Sequence, residues 1–340
     1  MLLKFNTTSK ENKTGEGEVI LAADIGATKS NLALIKFDDK KFVTIHEAHY
    51  KSADYNNIIE LVDSFIKNFP LPRAICLGVA GPVLNGHAKL SNLTWEIDRD
   101  ELSNHLGIKK IKLINDLEAT AYGLAVLNEE DTISVHNGNN IAGNAAIIAP
   151  GTGLGEAGLY YDGNYYYPFA TEGGHSDFAP RNKFDFELYT FLQNKFGHVS
   201  WERLICGPGI VNIYEFLRDE KKRDEPEWLK EKFENNDVAA IISTHVIESE
   251  ICKETMELFI KFLGYESANL VLKLNATGGL FIGGGIAPQI ISLFSDNLFY
   301  SSYCNSGRLN YLLEKVPVKI ILNNKTALLG AAYYGSHLIF

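Results

Sequence analysis

Three short apolar segments of this chain each run directly into a turn that contains glycine. The turns are Asp24-Ile25-Gly26-Ala27-Thr28, Pro150-Gly151-Thr152-Gly153 and Gly283-Gly284-Gly285. Such runs are typical of buried strands that meet a tight turn. Glycine permits a positive φ and has no Cβ, so backbone N–H groups in these turns can converge on an anion such as phosphate. One turn alone is most simply a tight turn, but three in one chain, with hydroxyls on Thr28 and Thr152, favour phosphate binding.

The order of the apolar segments predicts an α/β fold. The pattern after Val19 predicts three successive strands joined by tight turns, which implies an antiparallel start. A helix within 56–69, a strand within 73–83, a strand over IKLIND and a helix over LEATAYGLAVL follow. A second round begins near Asn144, helices dominate from about Phe184 to Leu274, and a strand and a helix close the chain. This alternation predicts a parallel sheet flanked by helices.

The length of 340 residues predicts about two domains of roughly 150 residues, which is enough to form a cleft. Residues 1–18 are polar after the first three and are interpreted as a flexible extension. The charged segment 220–236 is interpreted as a solvated helix face or an insertion rather than as a binding site.

The charge balance excludes several kinds of partner. Lys and Arg number 32 and Asp and Glu 42, for a net charge of −10, and no long basic run offsets it locally. Nucleic-acid and anionic-membrane binding need a concentrated positive face, so neither is expected. No apolar stretch approaches the ~20 residues that span a bilayer, and the first residues lack the features of a secretory signal. A cytosolic location is therefore expected.

The cysteines give no sign of a disulfide or zinc framework. They are far apart and form no CxxC pair, which predicts reduced, mostly packed thiols at Cys76, Cys206, Cys252 and Cys304.

Two better-known phosphate motifs do not account for the glycine turns. The pattern GxxxxGK[ST] is absent, so the chain is not a P-loop NTPase of the usual form. Gly153, Gly155 and Gly158 match GxGxxG, but a dinucleotide-binding turn opens a helix. Gly158 instead leads into LYYDGNYYY, which predicts a strand and a hairpin, so the match is interpreted as accidental.

Asn115 and Asp116 end one predicted strand and open a predicted helix. An Asp at this position can act as the helix N-cap, which contributes about 1 kcal/mol. A carboxylate at the carboxyl end of a buried strand is also where α/β proteins place catalytic groups. The position alone leaves both interpretations open.

Two further polar segments suit the binding of hydroxyl groups. They are Glu172-Gly173-Gly174-His175 and Ser200-Trp201-Glu202-Arg203. A Glu–His pair can bind a metal, but one histidine without a second histidine or a thiolate provides too few of the usual ligands. Carboxylates accept hydrogen bonds and imidazole donates or accepts them, so these side chains match a sugar better.

Taken together, these segments resemble the bacterial glucokinase family, within the superfamily of actin-like ATPases and sugar kinases. They occur in the order of that family from about Val19 to the end: LAADIGATKSNLAL, LGVAGPV, LSNLTWEID, LINDLEATAYGL, IAPGTGLGEAGL, ATEGGHSDFAP, ERLICGPGIVNIY and GGLFIGGGIAP. The ordered set is highly specific. The resemblance implies a two-domain α/β fold of the actin-like ATPase (ribonuclease H-like) type with the active-site cleft between the domains. The implied small domain comprises 19–126 and 318–340, and the large domain 127–317.

The resemblance also implies an activity, ATP-dependent phosphorylation of glucose at its 6-hydroxyl, which yields ADP and the glucose 6-phosphate used in glycolysis. It implies ATP and Mg²⁺ as cofactors and a homodimer. Asp116 matches the catalytic base, which favours catalysis over capping, and Asp24 lies near Mg²⁺. The residues implied to hold the sugar hydroxyls are Asn115, Asp116, Glu172, His175 and Glu202. The implied phosphate loops are Asp24, Gly26, Ala27 and Thr28, and Gly151, Thr152 and Gly153, and the residues near the adenosine are Gly283, Gly284 and Gly285.

One departure separates the chain from a neighbouring family of repressors and sugar kinases that carry a cysteine-rich zinc motif after the equivalent of His175. The segment HSDFAPRNKFDFELYTFLQNKFG contains no cysteine. Structural zinc is therefore not expected, and His175 is expected to bind the sugar instead of a metal.

Three alternatives to a glucose kinase stay open from the sequence. The same hydroxyl-binding set suits a kinase for another hexose or an amino sugar, and no residue excludes polyphosphate as the donor. A sugar-sensing regulator that no longer phosphorylates is disfavoured by the intact Asp24, Asp116 and GTG, and no helix-turn-helix precedes Val19. A phosphatase of the same superfamily would not need Glu172, His175 and Glu202.

Overall fold

The computed structural model describes residues 2–6, 17–38, 41–90, 93–139, 141–295 and 297–338. The chain divides into two compact units, Met1–Asp131 with Leu159–Ala170 and Asn323–Phe340, and Thr132–Gly158 with Thr171–Leu322. The domain boundaries derived from the sequence stay a prediction. No helix within the described ranges has the length and apolarity needed to cross a membrane.

The strands and helices alternate along most of the chain. Up to residue 123 they are β1 (Val19–Ile25), β2 (Lys29–Asp38), β3 (Lys41–Lys51), α1 (Ile58–Ile66), β4 (Ala74–Val79), β5 (Val83–Leu84), β6 (His87–Lys89), β7 (Glu96–Asp98), α2 (Arg99–Leu106), β8 (Ile111–Asn115) and α3 (Asp116–Gly123). From there they are β9 (Thr132–His136), β10 (Ala145–Pro150), β11 (Leu154–Tyr161), β12 (Tyr166–Thr171), α4 (Lys183–Phe196), α5 (Gly207–Asp219), α6 (Glu227–Phe233), α7 (Val238–Thr244), α8 (Glu250–Leu274), β13 (Gly279–Ile282), α9 (Leu298–Tyr303), α10 (Asn310–Leu313), β14 (Val318–Ile321) and α11 (Thr326–Leu338).

The first unit is built on a five-stranded sheet in the order β3-β2-β1-β4-β8. The strands β1, β2 and β3 pair antiparallel in succession, which confirms the predicted antiparallel start. The strands β4 and β8 then continue the sheet parallel to β1. A separate three-stranded sheet joins β5, β6 and β7.

Strand β1 is buried on both faces, which explains its apolar sequence from Val19 to Ala23. Leu21, Ala23 and Ile25 face a core layer that includes the apolar residues of α1. Ala22 faces the opposite layer, which contains Ala119 of α3 and several residues of α11. Because side chains alternate between the faces of a strand, a strand covered on both sides must be apolar at nearly every position.

Glycine and alanine let α3 and α11 approach each other closely. A Cβ at Gly330 would lie 1.7 Å from the carbonyl oxygen of Ala119, and one at Gly123 would lie 2.2 Å from the carbonyl oxygen of Thr326. No larger residue fits at either position without moving the backbone. The helix that begins at Asp116 is thereby held by the carboxyl-terminal helix.

The second unit is built on a six-stranded sheet in the order β12-β11-β10-β13-β14-β9, in which β10, β13 and β14 run parallel. This arrangement confirms the second round predicted from Asn144. The long helix α8 supplies many residues of its core, including Phe259, Phe262 and Leu263, each of them fully buried. Helix α6 lies in the charged segment 220–236, buries Leu229 and leaves most of its other side chains exposed, as expected for a solvated helix.

All four cysteines are free thiols, in agreement with the prediction. Cys76, Cys206 and Cys252 are buried, and burial raises the pKa of each of these thiols, which keeps them protonated.

The start of the chain corrects the interpretation of residues 1–18 as a flexible extension. The amide of Tyr166 donates to the carbonyl oxygen of Lys4 at 2.9 Å, and the amide of Leu2 donates to Leu124 at 3.1 Å. The ring of Phe5 is 2% exposed and packs against the rings of Tyr122, Tyr166 and Tyr333. Residues 2–6 are therefore packed, because Phe5 fills an aromatic cluster, while residues 7–16 lie outside the described residues.

We expect Phe5→Ala to lower the free energy of unfolding by about 3 kcal/mol or more, because it empties a buried aromatic position. Lys4→Ala is the matched control, since Lys4 is exposed and its backbone bond to Tyr166 survives the change. That control is expected to cost less than about 1 kcal/mol. Urea denaturation of both variants measures the difference, and equal stabilities would show that Phe5 contributes no packing energy.

Candidate active site

The first unit places Asp24 and Asn115 at the same edge of its sheet. Asp24 lies opposite Gly78 of β4, and Val79 of β4 lies opposite Asn115 of β8, all in parallel register. The two residues are two strands apart, which is roughly 10 Å at the usual strand spacing. This edge is the carboxyl end of the parallel strands, where α/β proteins bind ligands.

The turn between β1 and β2 presents the predicted phosphate-binding residues. The amide of Gly26 donates to the carbonyl oxygen of Lys29 at 3.0 Å, and a Cβ at Gly26 would lie 2.9 Å from that oxygen. The Ser52 hydroxyl donates to the carbonyl oxygen of Gly26 at 2.6 Å and holds the turn from behind. Ala27 and Thr28 at its tip are accessible.

Asp24 suits a cation that also binds phosphate. The Asn31 amide donates to Asp24 Oδ2 at 3.3 Å, and burial raises the pKa of the Asp24 carboxyl. A nearby cation favours the charged form of such a carboxyl. No group of three or more His, Cys, Asp or Glu side chains in the described ranges can hold a metal ion. One carboxylate completed by phosphate oxygens and water fits the way Mg²⁺ is usually held.

Asn115, rather than Asp116, is the N-cap of α3. Asn115 Oδ1 accepts from the amides of Leu117 at 2.9 Å and Glu118 at 3.3 Å, and its own amide donates to the carbonyl oxygen of Gly81 at 3.1 Å. Asp116 is the first helical residue, is half-buried and accepts from the Leu117 amide at 2.9 Å. The capping role that the position alone left open for Asp116 thus belongs to its neighbour.

The second unit brings the two remaining glycine turns together. They leave the carboxyl ends of β10 and β13, which are adjacent parallel strands. The amide of Gly283 donates to Ile148 at 2.8 Å, and the amide of Ile286 donates to Pro150 at 3.3 Å. Gly284 has a φ of +77°, and a Cβ there would lie 2.2 Å from the Pro150 carbonyl oxygen. The predicted phosphate and adenosine loops therefore touch.

Helix α5 begins beside the phosphate loop of this unit. The Gly151 amide donates to the Gly153 carbonyl oxygen at 2.8 Å, which closes the turn through Thr152. The Gly207 amide, at the first residue of α5, donates to the Gly151 carbonyl oxygen at 2.9 Å. Because helix N-termini carry a partial positive charge, α5 adds to the preference of this loop for anions.

The residues predicted to bind sugar form one cluster in the second unit. Glu172 precedes a 3-10 turn over Gly173–His175, and Glu202 lies in a second 3-10 turn over Trp201–Arg203. The Trp201 amide donates to the carbonyl oxygen of Ser176 at 3.0 Å and joins the two turns. His175 lies 4.0 Å from Glu172 (Nε2 to Oε2) and 3.9 Å from Glu202 (Nδ1 to Oε1).

Glu202 connects this sugar cluster to the phosphate loop. Its Oε2 accepts from the Leu154 amide at 2.9 Å, and a Cβ at Gly153 would lie 2.5 Å from the same oxygen. Its Oε1 is directed toward His175. One carboxylate oxygen thus anchors the start of β11, while the other joins the exposed polar cluster.

Sequence reasoning missed three polar groups that position these residues. They are the Gly81 carbonyl that holds Asn115, the Asn31 amide on Asp24, and Glu156, a buried carboxyl beneath Gly173. Two of them could have been found from the sequence, because Gly81 lies in the motif LGVAGPV and Glu156 is a charged residue inside the apolar strand LGEAGLYY. The GxGxxG match is indeed accidental, because Gly155 and Gly158 lie inside strand β11.

Two mixed sheets with glycine turns at their carboxyl edges, together with the cluster of Glu172, His175 and Glu202, are the features expected of a sugar kinase of the actin-like ATPase fold. The sequence profile described as Glucokinase matches residues 21–338. The chain belongs to the glucokinase family.

Individual relatives agree with this assignment. The glucokinase of Nostoc punctiforme is 40% identical over 339 residues, which cover 94% of this chain and 99% of the relative. The crystal structure of a glucokinase from an Antarctic psychrotroph is 30% identical, with a TM-score of 0.78 and coverage of 93% and 98%. A glucokinase of Balamuthia mandrillaris, solved in complex with glucose, shares the fold with a TM-score of 0.79 at 21% identity and coverage of 94% and 93%.

We expect Gly284→Ala to lower the thermal stability of the protein, because a Cβ would meet the Pro150 carbonyl oxygen at 2.2 Å and φ is positive. A cost of several kcal/mol is typical when backbone must move to accommodate an added carbon. Gly285→Ala is the matched control, since nothing lies within 4 Å of a Cβ at that position. Thermal denaturation without ligand should separate the two variants, and equal melting temperatures would contradict the contact.

Proposed function

We propose that Asp116 is the catalytic base with which this glucose kinase transfers the γ-phosphoryl group of ATP to the 6-hydroxyl of glucose. The observation that carries the assignment of glucose to this chain is the cluster of Glu172, His175 and Glu202, in which both carboxylates lie about 4 Å from the exposed imidazole of His175. These groups donate and accept hydrogen bonds in the pattern that sugar hydroxyls need.

In the proposed mechanism Asp116 accepts the proton of the 6-hydroxyl as that oxygen bonds to phosphorus, and ADP leaves. Asn115 fixes the start of α3 through its cap and its bond to Gly81, so the Asp116 carboxylate is held at the edge of the sheet. A positioned general base contributes about 10²- to 10⁴-fold. The remaining acceleration is attributed to alignment of donor and acceptor and to neutralisation of phosphate charge.

Within each unit we assign phosphate binding to one glycine turn, Gly26–Thr28 in the first and Gly151–Gly153 in the second, which carry backbone amides and a threonine hydroxyl. Gly283–Gly285 is assigned to the adenosine, and its contact with Pro150 at the start of the GTG turn supports this assignment. Asp24 would hold Mg²⁺ together with phosphate oxygens. Bound Mg²⁺ neutralises the charge that develops on the transferred phosphoryl group.

A related structure supports ATP as the donor. A ROK family glucokinase from Streptomyces griseus, solved with glucose and AMPPNP, shares the fold with a TM-score of 0.63 at 17% identity.

The family resemblance further supports two proposals about the whole protein, a homodimer and a cytosolic location. Size-exclusion chromatography with light scattering tests the first of these, and a monomer at micromolar concentration would contradict it.

Asp116→Asn is expected to lower kcat by about 10²- to 10⁴-fold while the affinity for glucose stays within a few-fold, because the amide cannot accept the hydroxyl proton. The Leu117 amide keeps an oxygen acceptor, so the helix start is preserved. Asp98→Asn is the matched control, since Asp98 caps α2 and has no assigned role. A coupled assay for glucose 6-phosphate measures both variants, and an unchanged kcat for Asp116→Asn would refute the assigned base.

Glu202→Gln is expected to raise the KM for glucose by about tenfold, which corresponds to the loss of one charge-assisted hydrogen bond. The KM for ATP should change less, because the glutamine oxygen can still accept from the Leu154 amide. Glu215→Gln removes a carboxylate that pairs with Lys195 elsewhere in the same unit and serves as the control. Steady-state kinetics with each substrate varied gives both constants. A Glu202→Gln enzyme with unchanged KM for glucose would exclude Glu202 from the sugar site.

A further inference from the structure

Two buried carboxyl groups of the second unit take no part in the proposed mechanism. Glu156 lies in strand β11 and is 2% exposed, and Glu266 lies in helix α8 and is fully buried. Buried carboxyl groups are rare and costly unless they are paired. Hydrogen bonds or opposite charges must therefore stabilise Glu156 and Glu266 in the core.

Glu266 is well supplied with hydrogen-bond donors. Its Oε1 accepts from the Lys273 ammonium at 3.2 Å, and its Oε2 accepts from the Asn269 amide at 2.8 Å. The carboxyl of Glu156 lies within hydrogen-bonding reach of Glu266. Glu156 Oε1, in contrast, is buried without a hydrogen-bond partner among the described residues. One of the two carboxyls must therefore carry a proton, which then forms the hydrogen bond between Glu156 and Glu266.

The charges around the pair favour one shared proton. Lys273 and Arg181 are the cations that act on Glu266, and Lys273 also acts on Glu156. Burial first, and then the charge of Glu266, raise the pKa of the Glu156 carboxyl to about 8, and burial raises the pKa of Glu266. The geometry favours the proton on Glu156, because both oxygens of Glu266 already accept from Lys273 and Asn269 whereas Glu156 Oε1 has no donor among the described residues.

Glu156 supports the turn that carries the sugar-binding residues. Its Oε2 occupies the space that a side chain at Gly173 would fill, since a Cβ there would lie 2.0 Å from that oxygen. The Thr171 hydroxyl donates to the Glu156 carbonyl oxygen at 3.0 Å and accepts from the Gly173 amide at 3.2 Å. The start of the turn over Gly173–His175 is thus held by both the backbone and the side chain of Glu156.

We propose that Glu156 is a positioning residue for glucose binding, which holds Glu172 and His175 in place as a neutral acid hydrogen-bonded to Glu266. Loss of the shared proton leaves two buried negative charges beneath the turn, with Lys273 and Arg181 as the cations that act on them, and the turn shifts to admit water. The inference rests on the proposed function, because it concerns the affinity of the same sugar site.

The sign of the pH dependence follows from the raised pKa. A carboxyl whose pKa is higher in the folded protein than in the unfolded chain stabilises the fold at low pH and loses this contribution as the pH rises through its folded value. Because the turn holds Glu172 and His175 in place only while Glu156 is protonated, glucose binding favours the protonated carboxyl, and the affinity for glucose is expected to fall above about pH 8. One proton limits the effect to at most about tenfold per pH unit.

The test is calorimetric titration of glucose into the full-length protein at several values from about pH 6.5 to about pH 9.5. The wild-type Kd is expected to rise roughly three- to tenfold over the upper half of this range. Glu156→Gln carries an amide that donates to Glu266 at every pH, so it should match the wild-type Kd at neutral pH and stay flat. Glu225→Gln, which changes a carboxylate bonded to the Tyr214 hydroxyl, should keep the wild-type profile.

A second variant separates positioning from titration. Glu156→Ala removes the support beneath Gly173 and is expected to raise the KM for glucose at least about fivefold while the KM for ATP stays within about twofold. Its melting temperature, measured alongside, establishes that it is folded. Identical pH profiles for wild type and Glu156→Gln would overturn the inference, as would a folded Glu156→Ala with unchanged KM for glucose. A wild-type protein that binds no glucose would instead refute the proposed function.

Discussion

Burial of the central strands on both faces is the constraint on which the rest of this structure depends. In β1 the side chains of Leu21, Ala22 and Ala23 are all fully buried, although they alternate between two core layers. A strand of this kind cannot carry a polar side chain along its length unless the polar group is paired. Polar groups of these strands are therefore expected at the strand ends, and Asp24, Asn115 and the glycine turns all lie there.

Close contacts at glycine hold these strand ends in place. Gly78 allows the first turn of α3, which begins at Asp116, to lie against β4, and Gly330 allows α11 to lie against α3. In the second unit Gly153 admits the carboxylate of Glu202, and Gly284 admits the carbonyl of Pro150. Three of these four contacts include a residue assigned to substrate, namely Asp116, Gly153 with Glu202, and Gly284. Within each unit, the residues assigned to substrates are consequently held by the packing around them, which is the condition for positioning reactants.

Glu156 shows how a departure from this burial rule is accommodated. It is a polar residue inside a buried strand, and the arrangement is stable because its oxygen fills the space left by Gly173 and its partner Glu266 is bound to Lys273. The protonation of Glu156 and the geometry of the turn over Gly173–His175 are therefore linked. Burial in such surroundings raises the pKa of the carboxyl above that of a solvated glutamate.

Most of the secondary structure and the set of candidate residues followed from the sequence, because both depend on local patterns. Apolar runs ending in glycine, such as the one before Gly26, marked the strand ends, and the ordered motifs marked the family. Phe5 shows where local patterns fail, since residues far along the chain, Tyr166 and Tyr333, form the cluster that it fills. The side-chain amide of Asn115 likewise donates to the carbonyl of Gly81, which lies 34 residues away in the sequence.

The sequence by itself determined the α/β fold, the glycine turns and the chemical types of the residues at the strand ends, because these properties are set by residues close together in the chain. Only the tertiary structure decided which of these residues meet. It brought Gly151–Gly153 beside Gly283–Gly285, placed Glu202 against both Leu154 and His175, and brought Glu156 next to Glu266. These contacts join segments from different parts of the chain, and their energies arise from burial and strand pairing that no single segment contains.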